Sequence, residues 1–494
     1  MGLVSPIPRP LGEVPAPEHA GYRPAAHPRR RALAPLGVAG LLCVLVGSFV
    51  VAAGSATEPN LYVPGRTGGW PGWLAGPFQG LGLGIDQARF QTFTLVMCAG
   101  YLVVLACARA IPPRALVASI LAAHLIFLLG PPLLSQDVFG YLGFARLGVL
   151  HGLDPYTHVA AAAAGDPVFP FLGWPFQHSP YGPLFTLASY AIVPLGLAGG
   201  LWALKAIAVL SSLAAVALVW RAAELDGRPP ALAAAFLGLN PVLLEVALGG
   251  DHNDTLILLA VAGALALAAG ASRRPRAAAA LLAAGVGVKV TAGVALPFLV
   301  LSRGSWRGRL GLLTGAAVSL SVLATVALVA FGSHALGFLS AVGEQQQLVA
   351  THSIPAETAR LVGLHGIPAW WRQIFAGGFV AALALTLWRT ARGADWRAMA
   401  GWATLALLLC TAWFLPWYAI WALPLAALSP SRALRAATLV FCAYAISIHL
   451  PLASPLLSAP QPTVAPLPRA FAVPAPIRPA GTLGADAARG IAPG

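Results

Sequence analysis

Charge is what this chain has least of. Charged side chains make up 9% of its 494 residues, and 16 residues are acidic, against the quarter or so of charged residues in an ordinary soluble domain. That scarcity excludes a water-solvated globular fold. Lysine is rarer still, with two residues, Lys205 and Lys289. The net charge of +14 is therefore carried by arginines that cluster in short loops and tails. That placement fixes membrane topology and meets anionic lipid, and it does not indicate nucleic acid. The five cysteines (Cys43, Cys98, Cys107, Cys410 and Cys442) lie in or beside apolar runs at unpatterned spacings. They favour neither a disulfide framework nor a metal site and read as small core residues. No Gly-rich loop of the type that cradles a nucleotide's phosphates is apparent.

What is abundant is apolar sequence, 58% of the chain, in recurring runs of about 20 residues, one membrane thickness. The fold class expected is an all-α polytopic membrane protein of about 11 to 13 transmembrane helices. Residues 1–31 are rich in Pro and Ala and end in Pro28-Arg29-Arg30-Arg31, a disordered cytoplasmic tail by composition. The run 32–53 is too long for a signal-peptide core and reads as a retained first span. A membrane domain is expected over 32–452, followed by a Pro-rich disordered tail, 453–494. Arg109 and Arg114 mark an inner hairpin between spans at 91–111 and 115–134. The stretch 135–182 then lies outside, as do the tip 249–254 and the loop 332–372. Segment 183–199 reads as a membrane-hugging or re-entrant piece. The run 277–302 reads as two short helices meeting near Lys289.

The polar residues gather on that outer side, which favours a surface site over a conduction path with polar groups at the midplane. Asp137 follows an apolar run directly, where a carboxylate is costly and marks function by default, although Asp is also a favoured helix N-cap. Arg146 lies nine residues on, about two and a half turns away. The two do not share a helix face, so Arg146 suits a phosphate or headgroup better than Asp137. His151 shares that helix, and Leu153-Asp154-Pro155-Tyr156 reads as a turn. His178, inside Trp174-Pro175-Phe176-Gln177-His178, belongs to an aromatic surface that either stacks on sugar rings or sits at the membrane interface. Asp251-His252-Asn253-Asp254 precedes an apolar helix; it supplies an N-cap, an anion site or, less readily, metal ligands. Glu245 is a second carboxylate within an apolar run, and Lys289 a lone cation suited to a phosphate. Glu344-Gln345-Gln346-Gln347 reads as solvated surface, and Trp413, Trp417, Tyr418 and Trp421 as an interfacial belt or lipid groove.

Three patches carry a resemblance: Asp137 with Gly140-Tyr141 and Arg146-Leu147-Gly148-Val149-Leu150-His151-Gly152-Leu153-Asp154-Pro155-Tyr156; Asn240-Pro241 with Gly249-Gly250-Asp251-His252-Asn253-Asp254; and Pro416-Trp417-Tyr418-Ala419-Ile420-Trp421. The chain resembles the GT-C class of integral-membrane glycosyltransferases over roughly residues 35–455. More narrowly, it resembles the actinobacterial polyprenol-phosphate-mannose-dependent α-(1→6)-mannosyltransferases of lipomannan and lipoarabinomannan assembly. The acidic motif of the class is often a pair; here Val138 and Phe139 follow, leaving Asp137 alone. The resemblance implies an inverting enzyme of the bacterial plasma membrane with its active site on the extracytoplasmic face. Its donor would be polyprenyl-phosphate mannose and its acceptor a mannan glycolipid, with the bilayer as partner. Asp137 would be the catalytic base, with Arg146, Lys289 and His252 on the donor phosphate. His151, Tyr141, His178, Asn253, Asp254, Trp417 and Tyr418 would bind substrate. No cofactor is required on this reading, and a divalent metal is a minor possibility. The alternatives are the same fold using an arabinofuranose or glucose carrier, a lipid or solute transporter or flippase, and a non-catalytic envelope scaffold.

Overall fold

The computed structural model describes residues 28–57, 71–271 and 273–450. The 453–494 tail and most of the 1–31 tail lie outside them. All regular structure among the described residues is helical, in an all-α polytopic membrane protein as expected. Among the described residues six stretches are long and apolar enough to cross a membrane, and six shorter apolar helices accompany them.

The helix α1, Pro28–Gly54, begins inside the segment read as tail. It lies antiparallel against α2, Gln87–Cys107, and the sequence permits this through small residues facing each other. A Cβ on Gly40 would stand 2.9 Å from the Gly100 carbonyl, and one on Gly100 2.7 Å from Cys43 Cβ. Backbones approach that closely only where side chains are absent. A short turn containing Arg109 leads to α3, Pro113–Leu129. The loop beyond returns to helix as α4, Asp137–His151.

Segment 183–199 resolves into α5, Pro183–Tyr190, a 3-10 turn at Val193–Leu195 and the start of α6, Gly196–Leu225. Eight residues rise about 12 Å, too short to cross alone. Next come α7, Pro230–Gly238, and a π-helical stretch, Val242–Leu248, beyond the break at Asn240-Pro241. This segment is the buried axis of the bundle: Glu245 is fully buried there and accepts from Thr94 Oγ1 at 2.8 Å. The turn at 249–253 opens α8, Asp254–Ala268.

The run 277–302 divides at Lys289, with α9 at Pro275–Val286 on one side and a 3-10 turn and α10, Leu296–Leu301, on the other. Two helices, α11 (Trp306–Phe331) and α14 (Ala369–Ala391), turn apolar side chains such as Val318, Val329 and Val380 outward, where lipid replaces water. Between them the 332–372 segment carries α12, Gly337–Gln347, and α13, Ile354–Leu361. The chain closes with α15, Trp396–Cys410; a 3-10 turn, Pro416–Ala422; α16, Leu423–Leu428; and α17, Arg432–Ser447.

Candidate functional site at one end of the helix bundle

Two strained turns meet at one end of the bundle. Leu134 has φ +62° and Asp251 φ +56°, left-handed values that side chains other than glycine adopt at a cost of about 1–2 kcal/mol each. The Leu133 N–H donates to the Gly249 carbonyl at 2.6 Å, which pins the turn before α4 to the turn before α8. The sequence makes both turns sharp: Pro131-Pro132 precedes the first and Gly249-Gly250 the second. Strain of this type persists only where surrounding contacts fix it, commonly at functional sites.

The pinning brings Asp137 to His252, with Oδ2 3.3 Å from Nδ1. They form an ion pair whenever the imidazole is doubly protonated, but the contact is not aligned as a hydrogen bond; among the described residues neither ring nitrogen of His252 has such a partner. The imidazole is wholly buried and stacks on Trp417, ring centres 3.7 Å apart and planes 17° from parallel. Asp137 begins α4 rather than capping it, and no side chain caps that helix. Its own N–H donates to Ser135 Oγ at 3.1 Å. The carboxylate thus lies at the positive end of the helix dipole and 11% exposed, free to meet a ligand.

The chain's two lysines each neutralise an aspartate of the 251–254 turn. Lys205, fully buried on α6, lies 3.2 Å from Asp251 Oδ1. Burial pushes the Asp251 carboxyl up to about 6, with Lys205 and His252 opposing. Lys289 donates to both oxygens of Asp254, at 3.0 and 3.1 Å, and Trp421 Nε1 donates to Oδ1 at 2.7 Å. The Lys289 ammonium lies 4.5 Å from the centre of the Tyr418 ring, a cation–π contact that holds it over the site. An ammonium has three donors, so one remains for a ligand.

Two cavities share Asp137 in their walls. The narrower, about 40 Å³, is lined by Lys289, Tyr418, Tyr181, His178 and Gln345. The wider, about 740 Å³, is lined by Gln136, Thr351, His352, Trp417 and His449. Trp174 and Trp413 belong to both and meet edge to face with ring centres 5.4 Å apart. The distant 332–372 segment is tied in by His178 Nδ1 at 3.0 Å from Glu344 Oε2, so the Glu344 stretch read as solvated surface borders the site. It is tied again where the Ala350 N–H donates to the Ala412 carbonyl at 2.8 Å.

Asp137, His252, Lys289, His178, Trp417 and Tyr418 thus converge. Other expected site residues are placed differently. Arg146 Nε lies 2.8 Å from Asp166 Oδ1, and His151 Nε2 lies 2.9 Å from Asp166 Oδ2; neither residue lines the two cavities. Arg146, expected on the donor phosphate, and His151, expected to bind substrate, lie instead in an ion-pair cluster that closes the 152–182 loop. Burial would raise the Asp166 carboxyl, but the Arg146 guanidinium, the Val168 N–H and His151 together hold it below the ordinary value. Tyr141 is buried and braces α4 to the turn: its hydroxyl accepts from the Asn253 N–H at 3.2 Å and approaches Asn253 Oδ1 at 3.4 Å. Asn253 and Asp254 accordingly lie behind the walls of the two cavities, Asp254 as the counter-ion of Lys289.

Several residues escape sequence reasoning. Lys205 and Asp166 act through tertiary pairs that spacing does not show. His352, 2.8 Å from Glu357 Oε1, and His449 border the wider cavity. The available signal was the concentration of His, Glu and Arg at 352–360 in an otherwise uncharged stretch. Among the described residues no three His, Cys, Asp or Glu side chains form a group able to hold a metal ion.

Fold and site together define a polytopic helical membrane protein with a carboxylate–imidazole–ammonium centre at one end of its bundle. The chain belongs to the family described as alpha-(1->6)-mannopyranosyltransferase, N-terminal domain, whose model matches residues 34–304. It is 31% identical over 337 residues to alpha-(1->6)-mannopyranosyltransferase A of Mycobacterium tuberculosis, covering 61% of this chain and 62% of that protein. The protein of the same name from Corynebacterium glutamicum is 32% identical over 173 residues, 34% of this chain and 35% of that protein. A probable alpha-(1->6)-mannopyranosyltransferase of Mycolicibacterium smegmatis is 34% identical over 145 residues, 28% and 26% of the two chains. The chain therefore spans less than two thirds of the length of the curated relatives it matches. No solved structure matches it.

Proposed function

We propose that this protein is a membrane mannosyltransferase that moves mannose from polyprenyl-phosphate mannose to a mannan glycolipid on the extracytoplasmic face, forming an α-(1→6) link with inversion. Family membership supports the sugar and linkage, and the observation that carries the mechanism is the position of Asp137 in the wall common to two cavities. In this reading the donor's mannosyl phosphate enters beside Lys289, and the acceptor hydroxyl approaches through the wider cavity past His352 and His449. The acceptor oxygen attacks the anomeric carbon while the bond from that carbon to the phosphate oxygen breaks. The electron pair leaves with the lipid phosphate, and the hydroxyl proton passes to the Asp137 carboxylate. The third N–H of Lys289 faces the charge that grows on the departing phosphate, an electrostatic role of large effect in such sites, while the buried imidazole of His252 acts through its 3.3 Å contact with the Asp137 carboxylate. A phosphate that departs already ionised needs no nucleotide-type activation, so no cofactor enters the scheme.

The test is sugar transfer by the purified full chain in nanodiscs, given labelled polyprenyl-phosphate mannose, a short α-mannan acceptor and no nucleotide sugar. An α-(1→6)-linked product supports the reading. Transfer only from an arabinofuranose or glucose carrier would reassign the donor. Transfer from no carrier would return the chain to the transporter or scaffold alternatives.

A further inference from the structure

The opposite end of the bundle holds a second polar feature that the proposed reaction does not use. Arg109 from the turn after α2, Arg228 from the turn before α7, and Arg432 and Arg435 from the start of α17 line one cavity of about 270 Å³. Among the described residues no acidic side chain lines it, and much of the remaining wall is apolar, including Leu232, Phe236 and Ala427. Two other arginines at this end have carboxylates: Arg397 lies 2.7 Å from Asp226 and Arg221 3.2 Å from Glu224. Within the cavity, Arg435 Nη1 donates to the Ser429 carbonyl at 2.6 Å. Arg228 Nε is buried with no hydrogen-bond partner among the described residues. The charges of Arg228 and Arg432 act on Arg435 as like charges.

Topology requires arginines at this end but does not require four of them to share one cavity without an anion. Their mutual repulsion is unfavourable until a negative group completes the set. The cavity is separate from the Asp137 site, since α3 and α17, with 17 and 16 residues, run about 25 Å from this end toward Leu133 and His449. We infer that the cavity binds the phosphate group of an anionic membrane lipid. Guanidinium groups take phosphate oxygens in pairs, and basic pockets between spanning helices suit phosphorylated headgroups. The apolar wall at Leu232 and Phe236 gives the lipid's carbon skeleton a surface that free phosphate would not use.

Native mass spectrometry of the full chain, purified from mixed phosphatidylglycerol and phosphatidylcholine, tests this. Wild type should retain phosphatidylglycerol selectively, and the Arg228→Gln/Arg435→Gln pair should lower its retention at least about tenfold. The Arg228→Lys/Arg435→Lys pair keeps the charge that sets topology and should retain phosphatidylglycerol better than the Gln pair but less than wild type, because an ammonium is a point charge without the planar fork. The Arg273→Gln/Arg274→Gln pair, outside the cavity, should behave as wild type. Displacement of the lipid by millimolar inorganic phosphate would overturn the lipid source in favour of a soluble anion. Equal retention of both lipids by wild type, or an equal loss in the Arg273/Arg274 pair, would overturn the site itself.

Discussion

At the residue scale the site works by pairing almost every charge except one. Lys205 and Asp251, and Lys289 and Asp254, each neutralise the other, leaving Asp137, among the described residues, with the imperfectly aligned His252 beside it. The Lys289→Met/Asp254→Asn pair, which removes the ammonium without stranding the buried Asp254 carboxylate, should on the proposed mechanism lower turnover by about a hundredfold with a smaller effect on acceptor KM, since the remaining donor would face a charge that develops only during reaction; steady-state kinetics with the labelled donor reads this. Lys205→Met should instead act on folding, because it strands a buried carboxylate, and should destabilise the protein by about 3–5 kcal/mol in a detergent melt.

The partners were only half legible in the sequence. Asp137, His252 and Lys289 announce themselves because each is a polar group at the edge of hydrocarbon. Arg146 and His151 were equally visible, but their partner Asp166 lies across a loop of Ala, Gly and Pro whose path no periodicity specifies. Tyr141 was expected to bind substrate, and its bracing role shows only once the turn at 253 is seen to fold onto its hydroxyl.

At the element scale, the 152–182 loop is held by the Asp166 cluster and by the contact of His178 with Glu344. A carboxyl held below its ordinary value contributes stability above about pH 4 and loses it as the pH falls through the lowered value. The difference in melting temperature between wild type and Asp166→Asn should accordingly be full at pH 6 and shrink toward pH 3. A difference that grows on acidification would contradict the assignment. At the other side of the bundle, Gly100→Leu should force α1 from α2 and destabilise by about 1–3 kcal/mol, whereas leucine at the open Gly343 should be close to neutral. The break at Lys289 was legible because a lone cation interrupts an apolar run. The eight-residue α5 was legible only as a topological surplus, since hydropathy does not register the 3-10 turn that separates it from α6.

At the scale of the whole molecule, the bundle has two chemically different ends. One carries the Asp137 centre and the other the arginine-lined cavity, and α3, α17 and α7 together with the π-helical stretch beyond it connect them. If the Asp137 end is extracytoplasmic, Gly343→Cys should react with a membrane-impermeant maleimide in intact cells above the background of the native cysteines. Gly304→Cys, on the arginine side, should react only after permeabilisation. The reverse pattern would invert the topology and remove access to an outer-leaflet donor. The all-helical membrane fold was fully legible, because the scarcity of charge leaves few other structures. The sharing of Asp137 by two cavities was not, since it depends on the 332–372 segment folding back over residues nearly two hundred positions earlier.

On the proposed mechanism Asp137 removes the acceptor proton. Its most direct test is mannose transfer by Asp137→Asn in nanodiscs, measured beside donor binding and a thermal melt. Transfer should fall by about a thousandfold or more, with donor affinity and melting temperature near those of wild type. A variant that folds, binds donor and still transfers mannose at near the wild-type rate would contradict it.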